Sequence, residues 1–389
     1  MALAPVCSRS LPMIIFGSIS LLIWLYLCLF HAKFWHCDQR LNVNSVNKSN
    51  APSVVAVIPA RDEVQTIATT VRSLLKQDYP GHFSIVVVDD NSTDGTADAA
   101  RSATFTNSDR ARVKIIDGAP LKDGWVGKMW AVSQGVDAAG AADFLLLTDA
   151  DIEHVPSSLS ALVAKAEADT LGLVSLMVKL RCHSFWEKLL IPAFIYFFQK
   201  LYPFPRVNNR DDQMAAAAGG CMLVRSETLQ AAGGIEKIKD KVIDDCALAL
   251  LIKQHRPIWL GLSTGTKSLR AYDALKPIWR MVTRTAYVQL NHQILLLLGT
   301  IIGMGLLYIV PIITLGFGVF VGNEAMIALG GIAWLILSWT FLPTLDLYDL
   351  NACWALFLPL AGLIYLVMTI DSARAHYAGK GGAWKGRTY

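Results

Sequence analysis

The fold is decided by one stretch of the chain, Phe144-Leu145-Leu146-Leu147-Thr148-Asp149-Ala150-Asp151. Four consecutive apolar residues predict a short strand that is buried on both faces of a sheet. Two carboxylates follow the strand, and they need a partner because an unpaired buried charge is costly. Oxygen ligands of this kind suit Mg²⁺ or Mn²⁺. We therefore expect Asp149 and Asp151 to hold a divalent cation that also grips a diphosphate.

Other apolar runs upstream are also followed by polar motifs. Predicted strands at 54–59, 84–88 and 113–116 precede Arg61-Asp62-Glu63, Asp89-Asp90-Asn91-Ser92 and Gly124-Trp125-Val126-Gly127-Lys128. Helical patterns lie between them, and this alternation predicts an α/β fold with a doubly wound, mostly parallel sheet. Ligands bind such sheets at the carboxyl edge of the strands. The motifs therefore indicate one shared site at that edge.

The composition indicates a membrane protein. The chain has 389 residues, of which 53% are hydrophobic and 17% are charged, whereas soluble proteins have about 25% charged residues. The net charge of +4 is not the strongly basic charge that is typical of a nucleic-acid-binding protein. The seven cysteines contain no Cys-x-x-Cys pair, which argues against a zinc site or a disulfide framework and indicates a reducing compartment.

Residues 1–38 are predicted to form an N-terminal membrane anchor. Leu11 to Phe30 is a run of twenty residues without a charge, long enough as a helix to cross a bilayer of roughly 30 Å. A cleaved signal peptide is the alternative, but its apolar region is shorter. Lys33 and Arg40 follow the run and predict that the next domain is cytoplasmic. Residues 39–53 read as a polar linker.

Residues 292–371 are predicted to form further transmembrane helices, with apolar runs at 294–321, 325–345 and 354–370. The basic tail, 372–389, is predicted to be cytoplasmic, which requires an even number of these spans; its cations are Arg374, Lys380, Lys385 and Arg387. Pro311 leaves open whether residues 294–321 form one tilted span or a re-entrant pair.

The region near 185–200 has apolar residues at helical spacing from Trp186 to Phe198. One interpretation is an ordinary core helix. The other is an interfacial helix that lies on the membrane beside the active site, with its aromatic residues at headgroup level.

Two candidate donor-binding groups have ordinary structural alternatives. Asp89 and Asp90 can accept hydrogen bonds from a uracil ring or a ribose hydroxyl, although an Asp-rich turn with helix-capping residues is the alternative. Lys128, which follows two glycines, can neutralise a phosphate or can be a solvated surface lysine.

Three motifs in the second half of this region are open to similar pairs of interpretations. Gly219-Gly220 allows the backbone to approach a ligand closely, or forms a plain turn before a strand at 221–225. Asp244-Asp245 contains a general base, or caps a helix. Arg280 and Arg284 lie one turn apart and hold the departing diphosphate, or contact lipid headgroups.

With these motifs the chain resembles the family 2 inverting glycosyltransferases, which have the GT-A nucleotide-diphospho-sugar transferase fold. The matching residues are Pro59-Ala60-Arg61-Asp62-Glu63, Asp89-Asp90-Asn91-Ser92, Asp149-Ala150-Asp151 and Asp244-Asp245. More narrowly, it is similar to the hopanoid-associated glycosyltransferases and to ceramide-glucosyltransferase-like enzymes. The narrower likeness rests on Gly124 to Lys128, Trp279 to Tyr287 and the arrangement of the spans.

The resemblance implies a role for each matched residue. Asp245 would be the catalytic base beside Asp244, Asp149 and Asp151 would bind the metal, and Arg280 and Arg284 would stabilise the leaving diphosphate. The implied nucleotide-sugar site comprises Pro59, Arg61, Glu63, Asp89, Asp90, Lys128, Asp149 and Gly220. Two departures stand out: the family's Glu-Asp pair is Asp244-Asp245 here, and the Gln-x-x-Arg-Trp motif of many membrane-bound relatives is not present as such.

We therefore expect a multi-pass glycosyltransferase of a bacterial cell membrane, with a cytoplasmic GT-A domain at 50–291. Its expected partners are a nucleotide-diphosphate sugar, Mg²⁺ or Mn²⁺, and a membrane lipid whose hydroxyl accepts the sugar; the resemblance suggests a hopanoid- or sphingolipid-like acceptor. The alternatives are a polyprenyl-phosphate sugar synthase, whose phosphate acceptor needs no base, and a non-catalytic membrane scaffold that retained the fold. No nucleic-acid partner is expected.

Overall fold

The computed structural model describes residues 4–41 and 51–379, with side chains described from Leu11 onward. Most of the predicted linker and the tail cations Lys380, Lys385 and Arg387 lie outside the described residues. The strands, in chain order, are β1 (Val54–Ala60), β2 (Phe83–Asp89), β3 (Val113–Asp117), β4 (Phe144–Thr148), β5 (Ile152–Glu153), β6 (Leu173–Lys179), β7 (Cys221–Arg225) and β8 (Ile258–Ser268).

The helices fall into two groups by the elements with which they cluster. Those that belong with the strands are Ile67–Leu75, Thr96–Arg101, Asn107–Arg112, Gly127–Ala139, Ser158–Ala168, Phe204–Val207, Ser226–Ala231 and Asp244–Lys253, with a 3₁₀ turn at Ile235–Ile238. The others are Ala4–Phe30, Phe185–Leu201, Leu275–Gln289, Ile294–Met304, Val310–Val321, Glu324–Leu347 and Leu358–Tyr377.

The described strands form one sheet in the order β3-β2-β1-β4-β7-β6-β8-β5. The pairs β1–β2, β2–β3, β1–β4 and β6–β8 are parallel, whereas β7 runs antiparallel to both of its neighbours and β5 runs antiparallel to β8. The predicted doubly wound, mostly parallel α/β fold is confirmed, with this antiparallel insertion added. The strand order reverses at β1, which places a crevice outside the carboxyl ends of β1 and β4.

The first strand was predicted to end at Pro59, and it extends one residue further. β1 continues to Ala60, and Pro59 pairs in register with Val88 of β2. The pairing of β1 with β4 ends two residues earlier, at Val57. A proline lacks only its N–H, so it is tolerated where that side of the strand has no partner to bond.

Helix Gly127–Ala139 lies close against the sheet because of one glycine. A Cβ on Gly135 would lie 2.3 Å from Cγ1 of Val57 on β1. No real Cβ contact is that short, so a larger residue would push the helix away from the strand. The helix begins with Lys128 in its first turn, and its close packing fixes the height of that lysine above the edge of the sheet.

The chain divides into two compact units, each built from discontinuous segments. The sheet unit contains the described parts of residues 38–181 together with Phe204–Ala271, and the helical unit contains the described residues up to Cys37, Cys182–Pro203 and those from Tyr272 onward. These boundaries differ from the predicted domain at 50–291, because residues 182–203 and 272–291 pack with the apolar helices.

The described residues include four helices that are long and apolar enough to cross a membrane: Leu11–Phe30, Ile294–Val321, Glu324–Leu347 and Ala352–Tyr377. Three of these follow residue 291, whereas we expected an even number. The run 294–321 is one helical stretch with a π-helical segment at Gly305–Ile309 directly before Pro311. A proline lacks the N–H for a regular helical bond, and local π-helix is one way to accommodate such an interruption.

Helix Phe185–Leu201 is buried within the helical unit. Leu190, Ala193 and Tyr196 are fully buried in a core that also contains Trp24 and Phe341. The Tyr196 hydroxyl lies 2.7 Å from the hydroxyl of Thr340. This packing favours the core-helix interpretation of the segment, and a position on the membrane surface stays a prediction.

Candidate active site

The loops after β1 and β2 are braced against each other at the edge of the sheet. Asp62 N–H donates to Ser92 Oγ at 3.0 Å, and Thr93 N–H donates to the Asp62 carboxylate at 3.0 Å. Asp62 and Asn91 both have positive φ angles, of 50° and 55°. Non-glycine residues adopt this conformation at a cost, and they persist where surrounding contacts hold them in place. The bracing gives the two loops one rigid shape.

Asp90 is buried inside this braced edge, next to Arg61. The Asp90 side chain is only 1% exposed, and a guanidinium nitrogen of Arg61 lies 3.8 Å from its carboxylate. The same nitrogen donates to the Asp90 carbonyl oxygen at 2.6 Å. Asp89, in contrast, accepts the Ser92 N–H at 3.1 Å and so closes the turn. The alternative interpretation, an Asp-rich turn, therefore applies to Asp89. Asp90 is the better placed of the two to bind a ligand.

A second feature of the edge is the Lys128 cluster, which consists of Lys128, Asp149, Asp244 and Asp245. The Lys128 ammonium lies 3.1 Å from a carboxylate oxygen of Asp149 and 3.1 Å from one of Asp244. Lys128, Asp149 and Asp244 line one cleft together with Pro59 and Gly219. Burial disfavours the charged lysine, but the surrounding carboxylates outweigh it and raise the pKa of Lys128. The lysine is therefore charged throughout the physiological range.

Asp245, the fourth member of the Lys128 cluster, lies in the first turn of helix Asp244–Lys253. One of its oxygens accepts the Gly219 N–H at 3.0 Å and the other accepts the Cys246 N–H at 2.8 Å. Burial, together with the nearby Asp244 carboxylate, raises the pKa of Asp245 to about 6. Lys128 and the two N–H donors oppose this rise. A carboxyl group tuned in this way can take a proton near neutral pH.

Gly219, rather than the predicted Gly220, is the glycine that meets this cluster. A Cβ on Gly219 would lie 3.3 Å from the Lys128 ammonium, whereas one on Gly220 would face Val178 at 3.1 Å. The contribution of Gly220 is its carbonyl oxygen, which accepts the Thr148 hydroxyl at 2.8 Å. This bond ties the glycine turn to the end of β4.

His154 supports the same end of β4 from inside the sheet unit. Its Nε2 lies 3.0 Å from Thr148 Oγ. Because the Thr148 hydroxyl already donates to Gly220, it must accept here, so His154 carries its proton on Nε2. Burial lowers the pKa of His154 to about 4, which keeps the ring neutral and preserves this tautomer at physiological pH.

The Arg270 cluster, which consists of Arg270, Asp151 and Glu63, forms a separate network. Arg270 Nε donates to the Asp151 carboxylate at 2.8 Å, and a terminal guanidinium nitrogen donates to Glu63 at 2.6 Å. Burial disfavours the charge of Arg270, but Asp151 and Glu63 outweigh it and raise the pKa of Arg270. The two aspartates of Asp149-Ala150-Asp151 are therefore bound to different cations.

The side chains at this edge of the sheet provide few ligands for the expected divalent cation. Within residues 4–41 and 51–379, no group of three or more His, Cys, Asp or Glu side chains is arranged to hold a metal ion. The carboxylate of Asp149, with its side chain 37% exposed at the cleft, fits a cation that takes its other ligands from a diphosphate and water. Asp151 is only 9% exposed and its oxygen is held by Arg270, so Asp149 is the better ligand of the pair.

The predicted leaving-group arginines lie in the helical unit. Arg280 and Arg284 are on helix Leu275–Gln289, which is joined to helix Leu358–Tyr377 by a 2.8 Å hydrogen bond from Trp279 Nε1 to Asp371. The Nε of Arg284 is buried and has no hydrogen-bond partner in the described part of the chain. Their action on a diphosphate stays a prediction.

Sequence reasoning missed Arg270 and His154, and of the pair Gly219-Gly220 it assigned only Gly220 to the site. No local pattern marks Arg270, which pairs with Asp151 across 119 residues of sequence. Gly219 could have been found, because it precedes Gly220 in the same motif and only the direction of each Cβ separates them. The signal for His154 was its place six residues after Thr148, directly after the short strand β5 that follows the two aspartates.

Comparisons with known proteins agree with this geometry. Residues 55–232 match the family model described as glycosyl transferase family 2. The 4,4'-diaponeurosporenoate glycosyltransferase of Staphylococcus aureus strain bovine RF122 / ET3-1 is 36% identical over 103 residues, which are 26% of this chain and 25% of that protein. The uncharacterized protein y4gI of Sinorhizobium fredii is 26% identical over 222 residues, 54% of this chain and 23% of that protein. The matches thus span about a quarter of the length of these curated relatives.

A solved structure shares the fold over nearly the whole chain. The mannosyltransferase PcManGT from Pyrobaculum calidifontis, in complex with GDP-Man and Mn²⁺, aligns with a TM-score of 0.55 and 17% identity. The alignment covers 95% of this chain and 98% of that one. At this identity the likeness concerns the fold alone. Taken with the match of residues 55–232 to the family model, it confirms the predicted GT-A-type fold.

Proposed function

We propose that this protein is a membrane glycosyltransferase that moves a sugar from a nucleotide-diphosphate donor to the hydroxyl of a membrane lipid, with inversion at the sugar carbon. The observation that carries the proposal is the Lys128 cluster, in which a base of raised pKa lies beside a cation at the carboxyl edge of a family 2 domain. The four apolar helices support a membrane-bound acceptor.

In the proposed reaction, residues of the sheet unit bind the donor, remove the acceptor proton and hold the divalent cation. Asp90 and Arg61 recognise the nucleoside, and Lys128 attracts the diphosphate. Asp245 removes the proton of the acceptor hydroxyl as that oxygen attacks the sugar carbon from the face opposite the diphosphate. A divalent cation, held by Asp149 and to a lesser degree by Asp151, would supply charge stabilisation for the departing diphosphate.

The leaving-group role of Arg280 and Arg284 also belongs to the proposal. An arginine with a buried, unbonded Nε retains a donor for an incoming anion, and Arg284 has such a donor among the described residues. The cytoplasmic position of the sheet unit rests on the positive charges that follow the first apolar helix. The hopanoid- or sphingolipid-like acceptor rests on the sequence resemblance.

A second candidate is transfer to an acidic lipid group. The relatives from Staphylococcus aureus are named for diaponeurosporenoate, a carboxylate, and the polyprenyl-phosphate alternative has a phosphate as its acceptor. Such acceptors are already ionised and need no general base. The arrangement of Asp245 favours a hydroxyl, because a deprotonated acceptor has no use for a carboxyl group whose pKa is about 6.

The experiment is a donor screen on the purified full-length protein in detergent. Release of nucleoside diphosphate is followed for a panel of sugar nucleotides, with Mn²⁺ or with chelator, and with or without a membrane lipid extract. We expect release with one donor, stimulated by lipid extract and lost in Asp149→Ala, whereas Asp240→Ala, an exposed aspartate paired with Lys241, keeps it. Absence of release with every donor would favour the non-catalytic scaffold.

A further inference from the structure

Thr148, the last residue of β4, connects the loop of the candidate metal ligand to the glycine turn. It directly precedes Asp149, and in the sheet it pairs with Cys221, the first residue of β7. Thr148 is only 2% exposed, and its hydroxyl donates to the Gly220 carbonyl oxygen at 2.8 Å. One buried hydroxyl therefore joins the start of the Asp149 loop to the turn before β7.

The glycine turn provides one of the hydrogen-bond donors of the candidate base. The Gly219 N–H donates to Asp245 Oδ2 at 3.0 Å. Only one planar peptide unit separates this N–H from the Gly220 carbonyl, so the bond from Thr148 to that carbonyl limits the directions in which the N–H can point. Two adjacent glycines have wide conformational freedom. A restraint of this kind is needed to keep the N–H directed at Asp245.

Ser175 restrains the other side of the same turn. Its Oγ accepts the Ala218 N–H at 2.9 Å and donates to the Ala218 carbonyl oxygen at 3.2 Å, and Ser175 is fully buried on β6. These bonds fix the chain before Gly219 but do not reach Gly220. The position of the Gly219 N–H therefore depends on Thr148 as well.

His154 determines the direction in which the Thr148 hydroxyl donates. A hydroxyl has one hydrogen and rotates to suit its partners. His154 Nε2 lies 3.0 Å from Thr148 Oγ. Because the Nε2–H donates to this oxygen, the hydroxyl hydrogen is left for Gly220. With the opposite tautomer the hydroxyl would donate to the ring, and the bond to Gly220 would be lost.

Packing does not account for a histidine at this position. His154 is 3% exposed, and its Nδ1 is buried without a hydrogen-bond partner among the described residues. A buried acceptor without a partner is unfavourable, and an apolar side chain such as methionine would fill similar space without that penalty. A histidine therefore fits a role that requires its Nε2–H.

We propose that His154 is a positioning residue for the base Asp245. It acts through Thr148, whose hydroxyl it directs to Gly220, and through the glycine turn that presents the Gly219 N–H to the carboxylate. The same relay holds Asp245 at a fixed position relative to the Asp149 loop. The inference rests on the proposed function, because Asp245 acts as a base only if the protein transfers sugar to a hydroxyl.

The first test measures the relay without catalysis, by hydrogen–deuterium exchange of the Gly219 amide in the full-length protein in detergent. We expect exchange to be faster by about tenfold or more in His154→Met and in Thr148→Val, since each breaks the relay. His154→Gln keeps an N–H donor and should keep the protection. Thr228→Val, which removes a buried hydroxyl without a partner among the described residues, is the matched control. Equal protection in wild type and both relay variants would overturn the proposal.

The second test measures lipid glycosylation with the donor that the screen identifies. We expect His154→Met to lower kcat by about 10–100-fold with little change in the KM of the donor. The pH of half-maximal activity should rise, because Asp245 loses a donor that favours its ionised form. This pH does not depend on the amount of folded protein, so destabilisation alone would not move it. His154→Gln should restore both values.

The outcomes separate this inference from the proposed function. An active wild type with the same kcat and the same pH of half-maximal activity as His154→Met would refute the positioning role alone. A wild type that is inactive with every donor would refute the proposed function and, with it, the role of Asp245 as a base.

A third measurement covers the case in which His154→Met and Thr148→Val do not fold. The wild-type protein is labelled with nitrogen-15 histidine, and the ring signals of His154 are identified by NMR through their absence in His154→Gln. We expect the neutral tautomer with its proton on Nε2. A proton on Nδ1 would overturn the proposal, because the Thr148 hydroxyl would then donate to the ring instead of to Gly220.

Discussion

The Lys128 cluster and the Arg270 cluster lie at the same edge of one sheet and differ in the balance of their charges. Lys128 faces three carboxylates, whereas Arg270 faces two and binds each of them by a hydrogen bond. Burial, together with the Asp244 carboxylate beside it, keeps the pKa of Asp245 raised. The Arg270 cluster is closer to neutral and bonded throughout. We infer that the first cluster performs the chemistry and the second holds the loops that frame it.

The strongest test of this comparison is Asp245→Asn. The amide keeps the size of the side chain but cannot accept a proton, so transfer to a lipid hydroxyl should fall by about 10²–10⁴ in kcat. The measurement is the initial rate of lipid glycosylation at saturating donor. Asp240→Asn is the control. A variant that keeps most of its activity would show that the acceptor is an acid, as in the phosphate or carboxylate alternatives.

Lys128→Met should have the next largest effect. It removes the cation from the carboxylates of Asp149 and Asp244 and from the proposed diphosphate site. Hydrogen bonds to charged groups contribute about 1.5–3 kcal/mol, which corresponds to a loss of about 10–100-fold in kcat/KM. The loss should appear mainly as a raised KM for the donor. The same measurement on Lys122→Met, an exposed lysine of the preceding loop, should match wild type.

The pH profile should show a smaller effect with a defined sign. Asp245 acts as a base only when ionised, and its pKa is raised to about 6. Activity should therefore be constant above this pH and should fall about tenfold between pH 7 and pH 5. In Lys128→Met the pH at which activity is half-maximal should rise, because the cation that favours the ionised form of Asp245 is gone. An unchanged pH of half-maximal activity in that variant would contradict the coupling between the two residues.

The smallest expected effect is that of Arg270→Gln, and it concerns stability. Removing Arg270 leaves the carboxylates of Asp151 and Glu63 without their shared cation. Loss of one partner of a buried pair is destabilising, but the Arg270 side chain is 38% exposed, so water compensates and we expect about 1 kcal/mol. Thermal unfolding of the purified protein measures it. A fall in kcat/KM as large as that of Lys128→Met, with unchanged stability, would contradict the inference that the Arg270 cluster only holds the loops.

The sequence predicted one part of this edge much better than the other, for a physical reason. Strand ends such as Leu145-Leu146-Leu147 before Asp149 are marked locally, because burial of the strand and exposure of the turn leave a pattern within eight residues. Pairing across the sheet leaves no such pattern. Arg270 and Asp151 meet only because β5 and β8 are paired, and the antiparallel placement of β7 follows from tertiary packing rather than from the composition of the strand.

The same limit applies to the apolar part of the chain. Hydropathy located the helices of the candidate spans, since length and composition are local properties. It did not show that helix Phe185–Leu201 packs with them, because a face of Leu190, Ala193 and Tyr196 suits a soluble core and a bundle of apolar helices equally well. Pro311 was visible in the sequence, but whether it turns the chain or only produces a π-helical segment depends on partners such as Trp24.

The interrupted order of the two units has a consequence for biosynthesis. Helix Phe185–Leu201 leaves the ribosome between β6 and β7, well before helices Glu324–Leu347 and Leu358–Tyr377 that bury it. Every strand that the structure describes has been made once Ser268 is added, whereas the helical unit lacks its last described helix until synthesis is almost finished. The nascent chain must therefore keep an apolar helix sheltered while more than a hundred further residues are added. Truncated chains should aggregate or be degraded from this segment first.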